Sequence, residues 1–192
     1  DLGFGVLNAF AERFPRQYLN AGVAEQNMTG LATGLALEGR VVFTYSIANF
    51  PTLRCLEQIR NDACYHGANV KVVAIGGGFS YGALGMSHHA TEDLSILRSI
   101  PELTVVAPGD DWETAEATSA LVTTAGTCYL RLDRSSAPPT NRQGELFQLQ
   151  RARVVREGRD MALGAIGGIL GGGLEAAERL AGDRGRTELR RQ

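Results

Sequence analysis

Cysteine, lysine and long apolar runs are all scarce in this chain, and each shortage closes off a class of protein. The three cysteines, Cys55, Cys64 and Cys128, form no C-x-x-C pair. They offer neither a disulfide framework nor a thiolate zinc site, and inside apolar segments they read as buried reduced thiols of a cytoplasmic protein. Lysine occurs once, at Lys71, and every other basic residue is arginine. No run of about 18 apolar residues is present to span a bilayer. The opening Asp1-Leu2-Gly3-Phe4-Gly5 lacks the basic start and apolar stretch of a secretion signal. A surplus of one charge is also missing: 19 basic against 21 acidic residues leave a net charge of -2, so neither nucleic acid nor an anionic membrane is expected as a partner.

Several chemistries are excluded by spacing. The three histidines, His66, His88 and His89, are too few for a zinc site, and adjacent side chains rarely point at one metal, so no metal ligand is expected. The glycine-rich stretches 76–82 and 164–173 match neither G-x-G-x-x-G nor G-x-x-x-x-G-K-[ST], which removes nucleotide phosphate cradles. Ser46, Ser80 and Ser87 lack the G-x-S-x-G elbow of acyl-transferring hydrolases.

What is present is a 44% hydrophobic chain of 192 residues, long enough for one domain and part of another. Strand-like and helix-like segments alternate with short connections, the pattern of an α/β fold with a parallel sheet covered by helices on both faces. Strands are expected at residues 17–19, 41–45, 70–75, 103–107 and 128–132. Helices are expected from Glu25, from near Pro51, over 93–99 and over 110–124. Leu53, Leu56, Ile59, Ala63 and Cys64 supply the buried stripe of the second helix, and Trp112, Ala115, Thr118 and Leu121 the inner face of the last. Ser135-Ser136-Ala137-Pro138-Pro139-Thr140-Asn141 reads as a linker. It divides a first unit, residues 1–140, from an incomplete second, residues 141–192, with a strand at 161–166, a helix at 174–180 and a disordered tail from Gly182. One strand and one helix bury too little to stand alone, so a chain truncated inside its second domain is expected.

Ligands of open parallel sheets bind beyond the carboxyl ends of the strands. The candidate residues gather there: Glu25 after the first expected strand, residues 45–50 after the second, the glycine-rich run with His88-His89 after the third and Arg134 after the fifth. The connection 76–91 is long for a strand-to-helix loop, a mark of function. Glu25 stands in a first helical turn, where a carboxylate either complements the helix end or performs chemistry.

The order of these motifs is specific. Asn20-Ala21-Gly22-Val23-Ala24-Glu25-Gln26-Asn27-Met28, then Phe43-Thr44-Tyr45-Ser46-Ile47-Ala48-Asn49-Phe50, Glu57-Gln58-Ile59-Arg60, Gly85-Met86-Ser87-His88-His89 and Thr104-Val105-Val106-Ala107-Pro108 resemble the pyrimidine-binding domain of transketolase. The likeness covers roughly residues 1–140, and the remainder looks like the start of the transketolase C-terminal domain. It implies transfer of a two-carbon ketol unit between sugars, with thiamine diphosphate as cofactor. Glu25 matches the glutamate that hydrogen-bonds the pyrimidine N1′ and shifts the ring toward its imino form, a role that demands a carboxyl withdrawn from water. Phe50, Tyr45 and Ile47 match the ring-contacting positions, His88 with His89 the histidine motif facing substrate, and Arg134 a phosphate contact. Leu84 and Gly76 replace two polar sugar contacts, so the expected acceptor is not an ordinary pentose phosphate. The family's G-D-G…N motif, which holds the diphosphate through Mg2+ or Ca2+, does not occur. The resemblance therefore implies half a site, completed by a diphosphate-binding domain or subunit, and a homodimer of this domain. Two rivals share the fold: a 2-oxo acid dehydrogenase decarboxylase beta subunit, and a non-catalytic assembly or regulatory module.

Overall fold

The computed structural model describes residues 3 to 189. Its centre is a four-stranded parallel sheet of β1 (Val42–Ile47), β2 (Val70–Ile75), β3 (Thr104–Val106) and β4 (Cys128–Leu132), ordered β1-β2-β4-β3. Val70, Val72, Val73 and Ala74 are all buried, as a strand covered on both faces requires. Register runs Val42 to Val70 and Ile47 to Ile75 across β1 and β2, and Lys71 to Cys128 across β2 and β4.

Two cores divide the faces. On one, α2 (Glu25–Leu37) and a π-helix (Gln58–Cys64) contribute Ala32, Ala36, Ile59, Ala63 and Cys64, which pack with Val70, Val72, Ala74 and Tyr129. On the other, Ala117 and Leu121 of α5 (Asp111–Thr123) pack with Val73, Cys128 and Leu130. The buried hydroxyls of Thr29 and Thr33 in α2 donate back to the carbonyls of Glu25 and Thr29, so their burial leaves no hydroxyl proton unmatched. The remaining helices are α1 (Asn8–Arg13), α3 (Asn49–Thr52), α4 (Asp93–Leu97) and α6 (Leu170–Leu189).

Helices on both faces of a parallel sheet agree with expectation; several details do not. Residues 17–19 are not a strand. They pair with no neighbour, and the chain instead turns through the Gln17 N–H bond to the Phe14 carbonyl before running extended toward Gly22. The second strand extends two residues further than expected, so Ser46 and Ile47 are sheet residues. Pro51 is the third residue of its short helix, still within the turn whose N–H groups need no helical partner, and the expected single helix divides into α3 and the π-helix. Ala115 is exposed and Ala117 faces inward in its place. Residues 161–166 are irregular and exposed, without a strand beside them. The helix expected at 174–180 is part of α6, which continues past Gly182 to Leu189 where a disordered tail was expected; the last three residues of that tail lie outside the described ones. Among the described residues no helix is long and apolar enough to cross a membrane.

Candidate functional site

All four strands point the same way, so the loops after β1, β2 and β4 share one edge of the sheet. Glu25 reaches that edge from a different direction. Asn20 accepts the Gly22 N–H through its side-chain oxygen at 2.9 Å, and Gly22 adopts φ 75, a left-handed turn that directs the chain into α2. Glu25 is the first helical residue and is only 1% exposed. Its Oε2 accepts from Arg54 Nη1 at 2.7 Å, while its Oε1 is buried with no hydrogen-bond partner among the described residues. An orphaned carboxylate oxygen is costly in a folded chain, so it marks a place where a donor belongs. Cys55 lies beside this carboxyl. Burial pushes its thiol up, a hydrogen bond with Thr29 opposes that, and the charge of Glu25 adds to it.

From Glu25 a line of contacts runs to the long loop. The guanidinium carbon of Arg54 stands 4.6 Å above the Phe50 ring, and Phe50 meets His88 edge to face at 5.1 Å. Loop 76–91 is held by a bridge between Gly78 and Ala90, and Asn49 Nδ2 donates to the Ser87 carbonyl at 2.9 Å, fixing His88 against α3. His89 turns away, meeting Phe79 edge to face at 5.0 Å. The structure therefore brings Glu25, Phe50 and His88 together and separates His89 from them.

The sequence profile described as "Transketolase, pyrimidine binding domain" matches residues 3–140. The chain belongs to the transketolase family. It is 37% identical over 171 residues to a putative transketolase C-terminal section of Methanocaldococcus jannaschii, covering 88% of this chain and 54% of that protein. It is 35% identical over 166 residues to one subunit of the apulose-4-phosphate transketolase of Phocaeicola vulgatus, covering 86% and 53% respectively. A solved split gene transketolase, an inactive beta4 tetramer, superposes with a TM-score of 0.83 at 35% identity, over 95% of this chain and 60% of that one. The chain thus spans about half the length of the curated relatives it matches.

Within this transketolase domain, Tyr45 and Ile47 lie on β1, where a two-residue spacing gives them one face. Ile47 is buried, and Tyr45 packs against the α5-side core. Burial pushes the Tyr45 phenol up, and the neighbouring Tyr81 adds to that. Arg134 is exposed beyond the end of β4. Among the described residues no group of three or more His, Cys, Asp or Glu could hold a metal.

Three features escaped sequence reasoning. Arg54 sits between Leu53 and Cys55 in the turn after α3 and signals nothing by spacing. Tyr81 lies on Gly76: a Cβ there would fall 2.0 Å from the tyrosine ring, and the glycine holds φ 93. That ring is also 6.4 Å from His88. Finally, Arg131 is buried at the sheet edge, its Nε 3.0 Å from Asp93 Oδ2 and its Nη1 2.9 Å from Asp133 Oδ2. Tyr129 donates to the same Asp93 oxygen at 2.6 Å, and burial followed by that negative charge raises its phenol well above its ordinary value. A Cβ at Gly77 would strike the Arg131 guanidinium at 2.1 Å, so the glycine makes room for a buried cation.

Proposed function

We propose that this chain supplies the pyrimidine half of a thiamine-diphosphate site in a split transketolase that transfers a two-carbon ketol unit between sugars. The observation that carries the reading is the buried, unpartnered Oε1 of Glu25. It is a carboxyl oxygen held in a dry recess at the sheet edge, placed to share a proton with a ring nitrogen. Bound thiamine diphosphate supplies an acidic thiazolium carbon that adds to carbonyl groups.

The chain's own residues then divide the work. Glu25 shares a proton with the ring nitrogen through Oε1, and its burial keeps water from competing for it. Phe50 and Ile47 provide apolar surface for the pyrimidine, and Tyr45 backs the same edge. His88, fixed by the Asn49 bond to the preceding carbonyl, faces the substrate side and handles its hydroxyl protons. Arg134 and His89 take the distal end of the sugar. Tyr81 fills the space above Gly76, which fits an acceptor other than an ordinary pentose phosphate. The diphosphate and its divalent metal fall to a partner domain or subunit, and two copies of this domain pack as a dimer. A reducing, cytoplasmic setting belongs to the same reading, supported by three buried free cysteines.

Titration calorimetry tests this. Thiamine diphosphate with Mg2+ is expected to bind the chain weakly or not at all alone, and tightly once a diphosphate-binding partner is added. Tight, magnesium-dependent binding by the chain alone would overturn the half-site reading.

A further inference from the structure

The contacts of Arg54 acquire a meaning once the Glu25 recess is read as a pyrimidine site, and the inference rests on that reading. Glu25 is 1% exposed within this chain. A buried carboxylate needs a counter-charge or donor, since an uncompensated buried charge is strongly destabilising. Arg54 provides both, with Nη1 2.7 Å from Oε2. It does so from a largely open position, its own side chain being 46% exposed. The same guanidinium lies 4.6 Å over Phe50.

Those are two separate interactions, an N–H to the Glu25 carboxylate and a guanidinium over the ring of Phe50. A planar heteroaromatic ring entering the recess would make contacts of the same two kinds, a shared proton at Oε1 and a face against Phe50. Guanidinium groups stack on aromatic faces and present donors in their plane, which is the property set of an aminopyrimidine ring. The surface of Phe50 that carries the guanidinium is not free for a second planar group.

We infer that Arg54 is a positioning residue that stands in for the aminopyrimidine: it holds the Glu25 carboxyl and covers Phe50 while the site is empty, and it yields both contacts when the ring enters. Its half-exposed stem gives it a path to solvent, where the departing cation is rehydrated. Glu25 exchanges the Arg54 donor at Oε2 for the ring at Oε1, so the carboxyl keeps one partner in each state. Cofactor affinity then includes the loss of the Arg54 contacts, because a ligand is favoured only by the difference between the two states.

The sign of this effect is unusual and sets the test. Arg54→Met removes a contact of the empty chain and is expected to lower its melting temperature. In the chain assembled with a diphosphate-binding partner, the same change is expected to tighten thiamine diphosphate binding by about 3- to 10-fold, the scale of a charge-assisted hydrogen bond discounted for solvent exposure. Arg54→Lys keeps the charge and loses the planar stack, so its affinity should fall between the two; it also serves as the variant that retains the counter-charge if Arg54→Met folds poorly. Calorimetric Kd values in Mg2+ and melting curves supply both readouts. Unchanged or weaker binding by Arg54→Met would overturn the inference, because it would mean that Arg54 stays on Glu25 in the loaded site or contributes only a surface ion pair. Absence of binding by the assembled wild-type protein would overturn the cofactor reading itself, and with it this inference.

Discussion

The sheet buries a charge at each end and treats the two differently. At the amino end of β2, Lys71 is fully buried, and its three donors meet the Thr124 carbonyl at 2.7 Å, the Gly126 carbonyl at 2.6 Å and the Cys128 sulfur at 3.4 Å. Those carbonyls follow the last turn of α5, the negative end of its dipole, so the cation is satisfied without a carboxylate. At the carboxyl edge, Glu25 is just as buried, yet one of its oxygens has no donor and the other depends on a half-exposed arginine. One end is finished within the chain. The other is built to be finished by something else, and that contrast separates structural burial from functional burial more clearly than burial alone.

The contrast can be broken first at the finished end. Replacing Lys71 by methionine keeps the bulk but strands the carbonyls of the half-buried Thr124 and Gly126, so chemical denaturation should show a loss of about 2–4 kcal/mol. A loss below about 0.5 kcal/mol would show that Lys71 is not a matched structural charge. A carboxylate at the same edge as Glu25 sharpens the comparison. Asp110 is also buried, but its oxygens accept from the Glu113 N–H at 2.8 Å and from the Thr140 N–H and hydroxyl at 2.9 and 2.6 Å. Burial alone would raise its carboxyl, and these bonds outweigh burial and hold it below its ordinary value. Asp110→Ala should cost about 1–2 kcal/mol as a lost helix cap. Since the folded carboxyl is the more acidic, that contribution is present at neutral pH and disappears as pH falls through the folded value.

The smallest effect lies on the surface. Glu145 is pulled down to about 2, chiefly by its hydrogen bonds with Arg153 and then by the Arg142 N–H. Because the shift is downward, its stabilisation is complete above the ordinary carboxyl value of 4.5 and fades as pH drops toward about 2. Melting curves of wild type and Glu145→Gln are expected to differ slightly at pH 6 and to converge near pH 2. Curves that stay equally separated at both pH values would show that the ion pairs contribute nothing that titrates.

Much of the fold was legible because hydrophobic runs and turn residues are local signals. β2, β4, α5 and the helix opening at Glu25 all stand close to where periodicity and the bounding residues put them. Residues 17–19 misled because an extended, apolar-looking run says nothing about whether a neighbouring strand exists to accept its hydrogen bonds. Residues 161–166 failed for the same reason. At the candidate site, motif order named Glu25, Phe50 and His88 but could not show their grouping, since it depends on Asn49 pinning the loop across 38 positions of sequence. Arg54, Tyr81 and Arg131 were unreadable because their roles are made by tertiary contact alone: a guanidinium over a ring, a phenol on a glycine, a cation among two aspartates.

The carboxyl of Glu25 is the group on which the proposed chemistry depends most directly. Glu25→Gln preserves its shape and its place in the first turn of α2 while removing the transferable proton. The decisive measurement is steady-state ketol transfer by wild type and Glu25→Gln, each assembled with a diphosphate-binding partner and saturated with thiamine diphosphate and Mg2+. A fall in turnover of roughly 100- to 10,000-fold with the fold unchanged is the predicted result, the range for losing a positioned acid or base. Turnover by Glu25→Gln within a factor of about 2 of wild type would contradict the account, because the unpartnered oxygen would then have no part in the chemistry.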